Sequence, residues 1–201
     1  MSKNLYIAAT EAESGKSLIV LGIMSLLTRH IKKVGFFRPI IRIGEEKDND
    51  IELVSKRFNL PFEYSSMYGI NNDEAFDLIH AGDMDSLFTA ILVKYKRLEA
   101  ECDFILVEGT DYTDSLKLFE FDFNAHMANN LGAPVLAVVN GKSKSVADVS
   151  DMVQLIKRVL HREKCSYLGM FVNRVEIKHL DEIKKLLEKF KTENEIDFVI
   201  P

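Results

Sequence analysis

Leu5-Tyr6-Ile7-Ala8-Ala9-Thr10-Glu11-Ala12-Glu13-Ser14-Gly15-Lys16-Ser17 decides the fold of this chain: an apolar run enters a turn that ends in Gly-Lys-Ser and opens a helix. The apolar run has the character of a buried strand, and residues 17–30 carry the spacing of an amphipathic helix. Strand, turn and helix in that order is the context in which Gly-Lys-Ser binds phosphate. Gly15 lets the backbone approach a phosphate, Lys16 brings a point charge, and Ser17 offers a hydroxyl to Mg2+. The helix that follows adds unpaired N–H groups at its first turn. The common pattern wants a glycine five places before Gly15, and Thr10 stands there instead.

Outward from this loop, short apolar runs alternate with longer helical patterns, the signature of βα units and a parallel sheet. Strands are expected at 4–9, 34–39, 104–108, 134–140, 167–173 and 197–200. Val, Ile, Leu and Phe fill them almost continuously, as in strands covered on both faces. Helices are expected at 16–30, 50–59, 73–80, 84–101, 122–130, 145–161 and 178–193. In the last, Leu180, Ile183, Leu186, Leu187 and Phe190 form one stripe at helical spacing. The expected fold is α/β, a three-layer P-loop NTPase-like arrangement with a mostly parallel sheet and helices on both faces. Residues 41–83 break the alternation, and such an excursion either lines a site at the strand carboxyl ends or is a surface insertion.

At 201 residues the chain fits one P-loop domain over 1–201. It stops directly after the last expected strand, which suggests the N-terminal fragment of a longer multidomain chain. A formal charge of −5 leaves no basic field for nucleic acid. No apolar run is long enough for a membrane span and no signal peptide is visible, so a cytoplasmic protein is expected. Cys102 and Cys165 lie far apart beside apolar strands and read as buried thiols. The five histidines show no metal-ligand spacing, which argues against zinc.

Four segments fall where strand ends meet. Besides the loop, Arg38 closes the second strand and can face phosphates as a further cation. Glu108 is delivered at the tip of a buried strand, where a carboxylate can hold Mg2+ directly or through water. Asn173 ends the fifth expected strand and carries donor and acceptor side by side, which suits the edge of a base. Asp48, Asn49 and Asp50 start a helix; capping explains them, and Asp50 can also reach the metal. The loop after Glu108 places Tyr112 at the border of the same crevice. The expected ligand contacts are therefore Thr10, Glu13, Gly15, Lys16, Ser17, Arg38 and Asn173, with Ser17, Asp50 and Glu108 around Mg2+. No Ser-His-Asp or Cys-His arrangement is visible, and no catalytic residue is assigned.

These segments resemble a known family. Residues 9–17 look like the G-T-x-T-x-x-G-K-[ST] loop of dethiobiotin synthetase, and Phe37-Arg38-Pro39, Val107-Glu108-Gly109 and Val172-Asn173-Arg174 are similar to its F-K-P, V-E-G and V-N-R. The resemblance implies the dethiobiotin-synthetase-like P-loop fold. Residues 110–113 and Arg38 depart from that enzyme. The chain more closely resembles, over its whole length, the N-terminal domain of long-form phosphate acetyltransferase, through 3–7, 34–40, 103–109 and the helix before Gly132-Ala133-Pro134. That resemblance implies a parent that interconverts acetyl-CoA and phosphate with acetyl phosphate and CoA. Its acetyltransferase domain would follow C-terminally, and this domain would serve regulation and a homo-oligomer. In that family some members have a decayed phosphate loop; this chain keeps Gly15-Lys16-Ser17, which predicts binding of Mg2+ with ATP, or of another nucleotide or small phosphorylated metabolite. The alternatives are a free-standing ATP-dependent ligase, a partitioning ATPase, which would need a second lysine that residues 11–14 lack, and an oligomerisation domain with a relic loop.

Overall fold

A computed structural model of the chain describes residues 3–42, 47–110, 117–193 and 195–201. The contact expected at Tyr112 lies outside them. The elements run β1 (Asn4–Ala9), α1 (Lys16–His30), β2 (Val34–Ile41), α2 (Asn49–Phe58), β3 (Tyr68–Asn71), α3 (Asn72–His80), α4 (Met84–Glu99), β4 (Phe104–Glu108), α5 (Lys117–Asn130), β5 (Val135–Asn140), α6 (Val146–Arg162), β6 (Tyr167–Asn173), α7 (Leu180–Phe190) and β7 (Ile196–Val199). The strands form a seven-stranded parallel sheet in the order β3-β2-β4-β1-β5-β6-β7, in a three-layer α/β fold. By packing, the chain divides into two compact units, 1–5 with 17–110 and 6–16 with 111–201.

In the first unit β2 is the central strand and is buried along its whole length. Val34 to Phe37 pair with Phe104 to Val107 of β4, and Arg38 to Ile41 pair with Tyr68 to Asn71 of β3. The strand was expected to stop at Pro39, but it continues to Ile41. The reason is the alternation of hydrogen bonds along a strand. Arg38 donates its N–H to Met67 O on the β3 side, at 2.9 Å. The nitrogen of Pro39 therefore faces the β4 side, just past the last pair Phe37↔Val107, so its missing N–H leaves the β3 ladder intact. The core gathers Phe36, Phe37, Leu87, Ile91, Tyr95 and Leu106, all fully buried. The rings of Phe37 and Tyr95 meet edge to face at 5.4 Å, and the Tyr95 hydroxyl accepts from Asn4 Nδ2 at 2.8 Å.

The second unit joins residues 6–9 of β1 to β5, β5 to β6, and β6 to β7. One side chain tie crosses its core: Tyr6 donates its hydroxyl proton to Asn124 Oδ1 of α5 at 2.7 Å. α6 buries Val149, Val153, Ile156 and Leu160, a stripe at helical spacing. Its start is fixed by a capping box in which Ser145 and Asp148 exchange side-chain and backbone bonds. On α7 the expected stripe narrows: Ile183 and Leu187 are buried, while Leu180, Leu186 and Phe190 are half-buried. The cysteines, expected to be buried, are half-buried free thiols.

Candidate functional site

β1 ends at Ala9, and the chain turns where Thr10 donates its N–H to Val138 O of β5 at 3.2 Å. Two residues in the left-handed region, Glu13 (φ 57°) and Gly15 (φ 83°), then curl the loop back into α1. Alternation of right- and left-handed residues turns successive N–H groups toward a common point, a geometry that takes up anions. The curl is locked from β6. Asn173, 5% exposed, donates from Nδ2 to Ser14 O at 2.9 Å. Gly15 is required here, because a Cβ on it would come within 2.2 Å of that same Nδ2. Lys16 is held with 3% exposure at the first position of α1, and Glu13 is exposed. Thr10 Oγ1 is buried and has no hydrogen-bond partner among the described residues. Thr10, Glu13, Gly15, Lys16 and Asn173 thus come together in the second unit, and Asn173 spends its donor on the loop.

The remaining expected residues come together in the first unit. Ser17, next in the chain after Lys16, donates its hydroxyl proton to Asp50 Oδ1 at 3.2 Å. Asp50 Oδ2 lies 3.0 Å from Arg38 Nη1, and the same nitrogen lies 2.5 Å from Asp48 Oδ2. Burial alone would push the Arg38 guanidinium down. The charges of Glu108, then of Asp48 and Asp50, outweigh it and hold the group above its ordinary value. Arg38 Nε is buried and has no hydrogen-bond partner among the described residues. Arg38 thus faces carboxylates, and three of them surround a single guanidinium.

Asp48 caps α2, as its place before the helix predicts: Oδ1 accepts from Ile51 N at 3.1 Å. Its other oxygen grips Arg38. The backbone N–H of Asp48 donates to the Tyr64 hydroxyl at 2.8 Å, so the excursion folds back on its own start. Sequence reasoning missed this second role of Asp48, and missed Tyr64. It also missed Lys144, which pairs with Glu11 of the loop. The available signal was the lysine pair at 142 and 144, just past a strand carboxyl end.

Among the described residues, no group of three or more His, Cys, Asp or Glu is placed to hold a metal. A Mg2+ ion fits Ser17 and Asp50 only as Mg2+ usually sits on a nucleotide, with most of its ligands supplied by phosphate and water. The excess of carboxylate over guanidinium beside Ser17 is of the right sign for a divalent cation. No described helix is long and apolar enough to cross a membrane.

Comparison with known proteins gives this geometry its relatives. The chain is 42% identical over 192 residues to a phosphate acetyltransferase of Nitratidesulfovibrio vulgaris, a match covering 94% of this chain and 27% of that protein. It is 37% identical over 191 residues to a phosphate acetyltransferase of Synechocystis, covering 94% and 27%. The chain therefore spans about a quarter of the length of these curated relatives. Among solved structures, the ATP complex of McdA from Cyanothece matches with a TM-score of 0.56 at 12% identity, over 99% of this chain and 82% of that one, a likeness of fold. A family model described as an AAA domain matches residues 3–195, nearly the whole chain, so a loop, a strand order and a sequence that agree place this protein in the AAA_26 family of AAA domains.

Proposed function

We propose that this chain is the regulatory, nucleotide- or phosphate-effector-binding domain at the N-terminus of a phosphate acetyltransferase, with no acyl transfer of its own. The curated relatives of that name support the parent, since each extends well beyond the matched part. In this reading 1–201 is one P-loop domain, its partner is a C-terminal acetyltransferase domain of the same chain, and the assembly is a cytoplasmic homo-oligomer.

The observation that carries the reading is the loop itself: curled by Glu13 and Gly15, locked at Ser14 by Asn173, and holding a buried Thr10 hydroxyl with no hydrogen-bond partner among the described residues. Such a loop is built for an anion, and Mg2+ with ATP is the form proposed. Lys16 and the N–H groups of Gly15 and Ser17 take the phosphates. Ser17, Asp50 and Glu108 attend the metal, and Arg38 sets the local charge. The amide of Asn173 keeps its oxygen for a base edge while its nitrogen serves the loop. Bound metal would neutralise phosphate charge and free Asp50 from Ser17.

Calorimetric titration of the protein and of Lys16→Ala with MgATP tests this. Binding by the native chain that falls by about a hundredfold or more in the variant is expected, in line with loss of a buried charge-assisted contact. Equal binding by both, or none by either, would overturn the nucleotide reading.

A further inference from the structure

A carboxylate is an odd neighbour for a phosphate loop. Glu11 sits in the loop, 38% exposed, where its charge would oppose an incoming polyphosphate. It is met by Lys144, which comes from 133 residues away and is 19% exposed.

The segment that carries Lys144 is built rather than loose. Asn140 Oδ1 at the end of β5 accepts from Lys142 N at 3.0 Å, and Lys144 N donates to Gly141 O at 3.3 Å. Ser143 is in the left-handed region, φ 58°. Ser145 then caps α6, so Lys144 is fixed as the residue immediately before the helix. Gly141 N donates to the backbone O of Asn173 at 2.6 Å. Asn173 therefore braces both segments, Ser14 through its side chain and Gly141 through its backbone. A left-handed non-glycine residue carries a conformational cost that ordinary turns avoid. Here it lies one residue before a cation aimed at the phosphate loop.

We propose that Lys144 is a second phosphate-contacting cation of this loop, held over it by Glu11 and joining Lys16 on the polyphosphate of a bound nucleotide. An ammonium has three donors, so Lys144 can keep Glu11 and add a phosphate oxygen, or exchange a singly charged partner for a more highly charged one. In either case Glu11 positions the lysine before the ligand arrives, and the lysine cancels a charge that would otherwise repel the ligand. The proposal rests on the nucleotide reading above and adds a residue to it.

The experiment is MgATP titration of the native chain, Lys16→Ala, Lys144→Ala, Lys144→Arg and Glu11→Gln, each checked for a native thermal transition. Lys144→Ala should weaken binding about ten- to a hundredfold, as expected for one charge-assisted bond to phosphate. Lys144→Arg keeps the charge and should retain most of the affinity. Glu11→Gln keeps the acceptor oxygen and drops the charge, and should bind at least as tightly as the native chain. Native affinity in Lys144→Ala alongside a loss in Lys16→Ala overturns the proposal and leaves the nucleotide reading standing. So does a folded Lys144→Arg as weak as Lys144→Ala. Should Lys144→Ala fail to fold, Glu11→Gln decides, and weaker binding there overturns it. No binding by the native chain overturns both readings.

Discussion

Asn173 donates from Nδ2 to the carbonyl of Ser14 at 2.9 Å, so the last residue of β6 holds the phosphate loop in its curled form. The bond is buried, with Asn173 5% and Ser14 2% exposed. Removing the donor strands a carbonyl, at about 1–3 kcal/mol. Asn173→Ala should lower the thermal midpoint and weaken MgATP binding together. Asn173→Asp should be worse on both counts, because it sets a buried carboxylate oxygen against a carbonyl. A midpoint for Asn173→Asp equal to that of the native chain would exclude this bond.

Asp48 has two jobs that substitution can separate. Asp48→Ala removes the cap of α2 and one counterion of Arg38, and should cost about 3–5 kcal/mol in urea unfolding. Asp48→Asn keeps an oxygen for Ile51 N–H and a neutral acceptor for Arg38, and should cost clearly less. Equal losses in the two variants would show that only the charge matters.

Glu195 links stability to pH. Burial alone would raise its carboxyl, but hydrogen bonds from Lys157 and Thr192, together with the Lys157 charge, hold it below the usual carboxylate range. A carboxyl depressed in the folded chain contributes stability above its unfolded value, about 4.3, and loses it as pH falls through the depressed folded value. Lys157→Met should therefore lower the thermal midpoint near neutral pH, and the gap to the native chain should narrow below about pH 4. A constant gap across that range would assign the effect to the bond between Lys157 and Phe190 O instead.

The thiols should be slow nucleophiles. Burial, then Glu101 and Asp103, push Cys102 up to about 12, and burial, then Glu163, push Cys165 up to about 11. Iodoacetamide near neutral pH should modify the folded chain far more slowly than the chain unfolded in urea. Equal rates in the two conditions would refute it.

How much of this was legible in the sequence depended on the range of the interaction. Six of the seven strands were readable because each is a short, mostly apolar run; five of them are largely buried, while β7 at the sheet edge leaves Ile196 and Phe198 exposed. The strand that was missed, Tyr68-Gly69-Ile70-Asn71, is short and contains a glycine, a weak strand former. That glycine is there for the strand: a Cβ on Gly69 would lie 2.4 Å from Pro39 O of β2. The Gly15-Lys16-Ser17 loop and the capping role of Asp48 were legible because local chain geometry determines them. The pairing of Asp48 with Arg38, and of Lys144 with Glu11, was not. Each is set by where a folded segment returns in space, which spacing along the chain does not encode.

Pro39 gives the second strand an unusual lip. β2 outlasts β4: the last residues that pair are Phe37 and Val107, and β4 itself ends one residue later at Glu108. A residue with an N–H at that place would carry a donor to be matched, by β4, by water or by another strand. Proline presents none, and its ring holds φ fixed one residue beyond Arg38. The backbone step that follows Arg38 is thus stiff and offers no donor of its own, while Arg38 spends its guanidinium on Asp48 and Asp50.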